Sequence, residues 1–359
     1  MKDRIGYYDL ARGLGIIFVV IGHIDTFYVP FRSVVITFHM ALFFMISGML
    51  FWETKEEESE ILRTIKKKFC RIMIPYILFS LLSMVIEFIR LALQGIFYWP
   101  HFRALLISAV SLYGNSVMWF LPALFISEIV FLLVRKSRND LATIMIVAGL
   151  VAFAVWANTW NLAGGEFLQS FMAAMIRGIY CTIFICIGYY IRKYIIPLKI
   201  PAYLYGVTGG LLIWVSVRMN SINPKVDLRA MHWGDILFGT DSNVILVAYP
   251  VCLYLIGAAS GALGVIFMCK MLDRFSGRLL FRGIVFFGSN TLIIMATHLD
   301  FHVLHYSMDL AAFLNSLMPS SILYHGMILI FVFAAEAVLI RLINKYAPIL
   351  TGKHKKITF

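Results

Sequence analysis

Charge is what this chain has least of. Asp, Glu, Lys and Arg together make up 14% of its 359 residues, while 61% are hydrophobic. Soluble domains carry about a quarter of their residues charged, so the composition excludes a water-soluble globule. Acidic residues are the scarcer sign, 19 against 31 basic ones, and the formal net charge is +12. In an apolar chain that excess reads as basic cytoplasmic loops rather than as a nucleic-acid surface. Cysteine is sparse and unpatterned. Cys70, Cys181, Cys186, Cys252 and Cys269 match no metal spacing, and Cys181 and Cys186 are five apart, off a shared helix face. All five read as free thiols, and no metal is expected. Low complexity is confined to Glu56-Glu57-Glu58, no repeat of fixed period occurs, and no soluble domain is expected at either end.

What the chain does have is apolar runs of about twenty residues, from end to end, each long enough to cross a bilayer as a helix. The expected fold is all-α and polytopic. One transmembrane domain covers 1–359, with ten spans near 8–28, 34–52, 71–93, 117–135, 141–158, 171–191, 202–218, 243–269, 284–305 and 322–344. The first is not a signal peptide, because Asp9 and Arg12 interrupt it and no small-x-small cleavage site follows. Lys and Arg gather in one set of loops and tails, among them Lys66-Lys67-Lys68, Arg135-Lys136, Arg192-Lys193 and Lys353 to Lys356. By the positive-inside rule that set is cytoplasmic, as are both termini. The chain is therefore expected in the inner or plasma membrane, in contact with its lipids.

Two segments on the opposite side are long. Residues 94–116 contain Tyr98-Trp99-Pro100-His101-Phe102 and are expected to include a short helix. Residues 219–242 hold Asn223-Pro224, Asp227, Arg229, His232, Trp233, Asp235 and Asp241. That segment reads either as a lid or acceptor surface or as an ordinary solvated connection.

Chemistry concentrates in the first two spans. Arg12 and His23 lie eleven residues apart, about three helical turns, so they share a face roughly 16 Å apart along the axis. A cation inside a bilayer is costly and seldom tolerated without a role. Asp9, one turn before Arg12, offers a local ion pair, and Glu128 and Glu336 are other intramembrane carboxylates. His39 lies about as far into the second span as His23 lies from the end of the first, which places both imidazoles at similar depth. His298 in the ninth span adds a third. It also opens a stripe with His302 and His305 at i, i+4 and i+7. That stripe lacks the carboxylate a zinc helix usually carries, and His302 and His305 are expected to face water. Glu87 and Arg90, three apart, should neutralise each other. Gly15 and Gly22 would permit close helix approach. The basic run ending at Arg71 leads into Ile72-Met73-Ile74-Pro75. It reads either as a topology signal touching anionic lipid or as a cradle for a nucleotide phosphate, built from Arg71, Lys67 and Lys68.

In these segments the chain resembles the acyltransferase-3 family of membrane O-acyltransferases. The Arg-x10-His element of that family is matched by Arg12 and His23, and its second-span signature by Phe38-His39-Met40-Ala41-Leu42-Phe43-Phe44-Met45-Ile46-Ser47-Gly48. Arg71 with Pro75, Trp119-Phe120-Leu121-Pro122-Ala123-Leu124-Phe125, and Gly288-Ser289-Asn290-Thr291-Leu292 with His298 follow in order. Ala41 stands where many members have Pro, and Phe69 interrupts an Arg-x-Arg. The appended esterase domain of some members is not expected here. The resemblance implies O-acetylation: acetyl-CoA, or another acyl-CoA, as cytoplasmic donor, and a hydroxyl of a surface polysaccharide or other carbohydrate as outer acceptor. His23, Arg12, His39 and His298 would then form the catalytic set, and Arg71, Lys67 and Lys68 would bind the donor. His23 could serve as general base or accept the acyl group itself. A passage along the Arg12–His23 face would let the thioester approach. The alternative is a proton-coupled secondary transporter of an organic anion or lipid-linked sugar, although no Gly/Pro-interrupted pair of spans recurs in the two halves.

Overall fold

The structure is a computed structural model. It describes residues 6–54, 61–96, 98–136, 139–157, 164–222, 244–275, 278–317 and 320–352, and no strand occurs among them. The polar residues from Asn223 to Asp241, together with Lys2, Arg4, Lys55, Arg138 and the C-terminal lysines, lie outside the described residues.

The helices are α1 (Gly6–Gly22), α2 (Val29–Thr54), α3 (Ile61–Lys68), α4 (Ile74–Leu93), α5 (Trp99–Val110), α6 (Phe120–Arg135) and α7 (Asp140–Ala157). They continue with α8 (Glu166–Tyr190), α9 (Ala202–Ile222), α10 (Val244–Leu272), α11 (Leu279–Gly288), α12 (Thr291–Thr297), α13 (Val303–Leu317) and α14 (Ser321–Tyr346). Among the described residues, six helical stretches are long and apolar enough to cross a membrane: Val29–Trp52, Ile61–Leu93, Asp140–Ala157, Glu166–Ile195, Pro250–Phe275 and Ser321–Tyr346. They fall on six of the ten expected spans.

The other four differ for physical reasons. α1 has 17 residues and α6 has 16, about 24–26 Å at 1.5 Å per residue and at the lower limit for a bilayer crossing. α9 has 21 residues, but Gly, Ser and Arg218 dilute its apolarity. The ninth expected span is not one helix. The stretch 284–305 is divided among α11, α12 and α13, with breaks at Ser289-Asn290 and at 298–302. Both breaks fall on polar residues, Ser289-Asn290 and His298, Asp300 and His302, which a window of about twenty residues averages into the flanking apolar runs. The short helix expected in 94–116 is α5, started by Pro100 in its first turn.

The chain divides into two units. The first comprises Met1–Thr64, Ile126–Ala163 and Met175–Ser289. Its centre is α2, whose residues from Phe38 to Ile46 are buried. α2 packs on α1, α9 and α10, and α9 pairs with α10 along its length. Glycine sets the closest crossings. A Cβ on Gly48 would lie 2.0 Å from the Ile185 carbonyl oxygen, and one on Gly188 would lie 2.0 Å from that of Met45. α2 and α8 therefore touch backbone to backbone, as small residues allow between membrane helices. Gly13 does the same against the carbonyl of Ile284. The expected Gly15 and Gly22 meet only side chains, Leu42 and Phe43 at 3.0 Å and Ile36 at 3.4 Å. A polar clamp adds register: Asn220 of α9 donates to the Thr37 hydroxyl (2.7 Å) and the Ser33 carbonyl (3.2 Å) of α2.

The second unit comprises Ile65–Phe125, Gly164–Ala174 and Asn290–Phe359. Here α3 runs into α4 through a π-helical turn, Phe69–Met73. Pro75 has no N–H to give the Arg71 carbonyl, and its ring crowds that same group. The wider turn absorbs both effects. The C-terminal turn closes on this point: Gly352, left-handed at φ +68°, sits so near Arg71 that a Cβ would lie 3.0 Å from the arginine's carbonyl oxygen. α13 and α12 pack on α14.

Candidate functional site

The expected site residues divide between the two units: Arg12, His23 and His39 in the first, Arg71, Lys67, Lys68 and His298 in the second.

α1 carries Arg12 in its interior and ends at Gly22, and His23 closes it with a tighter turn in which its N–H bonds the Val20 carbonyl at 3.1 Å. The carbonyl of Gly22, left over at the helix end, accepts from Arg32 Nε at 2.8 Å. Arg32 also grips Asp25 at 2.5 Å, so the short connection from α1 to α2 is tied beside His23. At the other end Arg12 Nη1 lies 3.5 Å from Asp9 Oδ1, which realises the local pair expected one turn away. Asp9 is buried, whereas the Arg12 side chain keeps 27% of its surface exposed. A buried carboxylate thus lies against a guanidinium that is itself only partly covered. The family-type segment from Gly288 supports this turn directly: α11 ends on it, with Gly288 against the Asp9 carbonyl.

His39 is buried in α2, and its Nδ1 bonds the Val35 carbonyl at 2.8 Å. A carbonyl can only accept, so Nδ1 carries the proton and Nε2 holds the lone pair. The contacts of Gly15 with Leu42 and Phe43, and of Gly22 with Ile36, fix the register of α1 on α2. By that register His39 lies opposite Phe18 and Val19, about one helical turn from the level of His23. The expectation of similar depth is refined to an offset of four to five residues, roughly 6–7 Å. Its origin is that α1 ends at Gly22 while α2 begins only at Val29, so the two helix ends are not level.

Two further ionisable groups sit inside this unit. Ser47, in the second-span signature, donates to the Glu128 carboxylate across α2 and α6. Among the described residues, Arg177 of α8 is the largest fully buried side chain, 2% exposed. Sequence reading passed over it, although an arginine in mid-span was the available signal.

In the second unit, Arg71 and Lys67 are exposed on successive turns, while Lys68 is buried. An exposed pair is therefore available to an anion, and Lys68 is turned away from that open surface. Beyond Pro75, Tyr76 donates to the Ala109 carbonyl at 2.7 Å and fixes α4 against the end of α5. The chain then runs through left-handed Leu112, Gly114 and Ser116 (φ +63°, +83° and +46°) into Trp119. A Cβ on Gly114 would meet the Trp119 backbone at 2.3 Å, which explains a glycine just before the Trp-Phe-Leu-Pro signature. Two non-glycine left-handed residues in a largely buried loop store strain of a kind that gathers at functional sites. Only Gly114 signalled this loop in the sequence.

His298 follows the last residue of α12 and is fully buried. Its Nδ1 bonds the Ile294 carbonyl at 2.7 Å, which gives it the same tautomer as His39. Exposed His325 makes the same bond to Ser321, so the bond alone marks no site; deep burial distinguishes the other two. Beside His298, the Thr297 hydroxyl lies 2.9 and 2.7 Å from the two oxygens of Glu336, itself fully buried on α14. Asn344 of the same helix reaches Asn290 at 3.0 Å. The Asn-Thr-Leu…His element is thus anchored twice to α14. The expected stripe of His298, His302 and His305 does not exist on one helix: α12 ends before His298, His302 is left-handed at φ +57°, and His305 lies in the first turn of α13, which begins at Val303. Nor does His302 simply face water, since it bonds Glu87. Among the described residues, no group of three His, Cys, Asp or Glu side chains is placed to hold a metal ion.

The chain matches the family model described as an acyltransferase domain over residues 5–340, nearly its whole length. No curated protein and no solved structure matches it.

Proposed function

The chain belongs to the acyltransferase-3 family, and we propose that this multi-pass membrane acyltransferase carries an acyl group, most simply acetyl, from cytoplasmic acyl-CoA to a sugar hydroxyl on the outer side. The observation that carries the reading is the geometry of α1. Arg12 is held on one side by buried Asp9, and His23 closes the same helix three turns away. One fixed positive charge and one imidazole are thus separated by roughly the inner part of a bilayer.

The chemistry needs little more. A neutral His23 nitrogen takes the proton of the acceptor hydroxyl while its oxygen attacks the thioester carbonyl. The C–S bond breaks, the coenzyme A thiolate leaves, and the His23 imidazolium returns the proton to it, directly or through solvent. In the covalent variant the imidazole attacks first, releases the thiolate, and then passes the acyl group to the hydroxyl. Arg12 would stabilise the oxyanion or the donor's charge. His39 and His298, each buried with Nδ1 tied to a carbonyl, are the further residues that the family motifs point to. Exposed Arg71 and Lys67 suit the donor's phosphates, since arginine binds phosphate with paired, charge-assisted hydrogen bonds. The inner or plasma membrane would be the site of action.

Release of free thiol from acetyl-CoA by the purified protein tests this reading. Acceptor-stimulated release supports it. Intact acetyl-CoA in the presence of a mixed-sugar acceptor would point instead to a proton-coupled carrier.

A further inference from the structure

At the end of α4 remote from Arg71, three segments converge on one carboxylate. Glu87 stands 16 residues beyond Arg71, roughly 24 Å along the helix. Arg90 Nε and Nη2 donate to its two oxygens at 2.8 and 2.7 Å. His302, from the turn between α12 and α13, places Nε2 at 3.3 Å from Oε2. His101, from α5, brings Nε2 to 3.3 Å from Oε1, without the alignment of a hydrogen bond. Neutralising Glu87 requires only Arg90. Yet two histidines from separate segments are added, one of them at the expense of a left-handed backbone. Such strain outside glycine persists where the surroundings impose it.

The donor and acceptor inventory indicates what this arrangement suits. An ionised carboxylate only accepts, so His302 Nε2 carries its proton and Nδ1 keeps a lone pair. Arg90 has Nη hydrogens to spare, because Glu87 takes only Nε and Nη2, and Gln94 lies at a long 3.5 Å from Nη1. Glu87 is mostly covered, its side chain 17% exposed, whereas Arg90, His302 and His101 are 33%, 24% and 41% exposed. The accessible rim therefore offers donors and an acceptor side by side over a pair with no net charge. A hydroxyl both donates and accepts, and it is neutral. The ring of Tyr306 stands 6.3 Å from that of His302 and is largely exposed, a flat face beside the polar rim. Tyr98 and Trp99 are also exposed, as interfacial anchors are.

We infer that Glu87, Arg90, His101, His302 and Tyr306 form a binding site for a neutral polyhydroxylated ligand, a sugar. Only the sugar's role as acyl acceptor rests on the proposed acyl transfer. Anions suit the site poorly, because Glu87 already offsets the arginine.

The test places Tyr306→Cys in a Cys252→Ser background, in full-length protein in nanodiscs, and follows labelling by a hydrophilic maleimide. The probes are the methyl glycosides of glucose, galactose and N-acetylglucosamine. At least one should slow labelling saturably, by about tenfold at saturation. Glu87→Gln, or His302→Asn, which retains a residue tolerant of the left-handed backbone, should abolish the protection. Acceptor-independent thiol release from acetyl-CoA should stay unchanged in both. Labelling unaffected by all three glycosides, or protection that survives in both variants, would overturn the site. Protection without any thiol release would leave the site standing and defeat the acyl-transfer reading alone.

Discussion

A Cβ on Gly288 would lie 1.8 Å from the carbonyl oxygen of Asp9. α11 therefore rests on the backbone of the turn whose carboxylate holds Arg12. Gly288 and the Asp9–Gly13 turn of α1 are thus in direct backbone contact.

Filling that contact should be costly. Gly288→Leu, and likewise Gly48→Leu in the crossing of α2 with α8, must separate two backbones in a well-packed interior. Overpacking of this kind typically costs about 1–3 kcal/mol and occasionally more. Gly149→Leu is the control, because no atom lies within 4 Å of its Cβ position. Thermal unfolding in detergent should fall for the first two variants and stay near wild type for the third.

His23→Ala should reduce acyl transfer by about 10²- to 10⁴-fold, the usual contribution of a positioned general acid or base. Unfolding temperature and membrane insertion should be unchanged, since His23 lies in a turn after α1 and is only half-buried. His39→Ala and His298→Ala should also impair transfer, with some loss of stability because both are buried. Rates under saturating acetyl-CoA, beside unfolding curves, separate the two effects.

Arg71→Ala should raise the apparent constant for acetyl-CoA by about tenfold or more, as expected for losing a charge-assisted phosphate contact. The acceptor constant should stay level. Lys67→Ala should act in the same direction more weakly. Lys68→Ala should instead lower stability, because that side chain is buried. Initial rates with each substrate varied in turn check all three.

Thr297→Val should destabilise the second unit by about 1–3 kcal/mol, since it leaves the buried Glu336 carboxyl without the hydroxyl beside it. Glu336→Gln, which keeps an acceptor within reach of Thr297, should cost less. Limited proteolysis and thermal unfolding of the two variants give the order.

Much of this was legible in the sequence. Apolar runs located the long helices, the Arg12–Asp9 and Glu87–Arg90 pairs follow from helical spacing, and Pro75 and Pro100 marked helix starts. The break of 284–305 was missed although Gly288-Ser289-Asn290 is a turn signal and His298, Asp300 and His302 are polar. A window of about twenty residues averages both dips into the flanking apolar runs. The level of His39 required the register of α1 on α2, which Gly15 and Gly22 set by side-chain contacts. Lys68 turned inward for a similar reason: three consecutive lysines cannot all share one helix face. Convergence of His101 and His302 on Glu87 joins residues up to 215 positions apart, and no local pattern records such a contact.

Transfer across the bilayer is the central claim. Its most direct measurement uses sealed inside-out vesicles containing the protein, with acetyl-labelled acetyl-CoA added to the exposed cytoplasmic face. The account predicts that label accumulates inside the vesicles as a base-labile ester, that free coenzyme A appears outside in equal amount, and that both stop with His23→Ala. Label that enters still attached to coenzyme A, or ester formed only on the outer, cytoplasmic face of the vesicles, would contradict it.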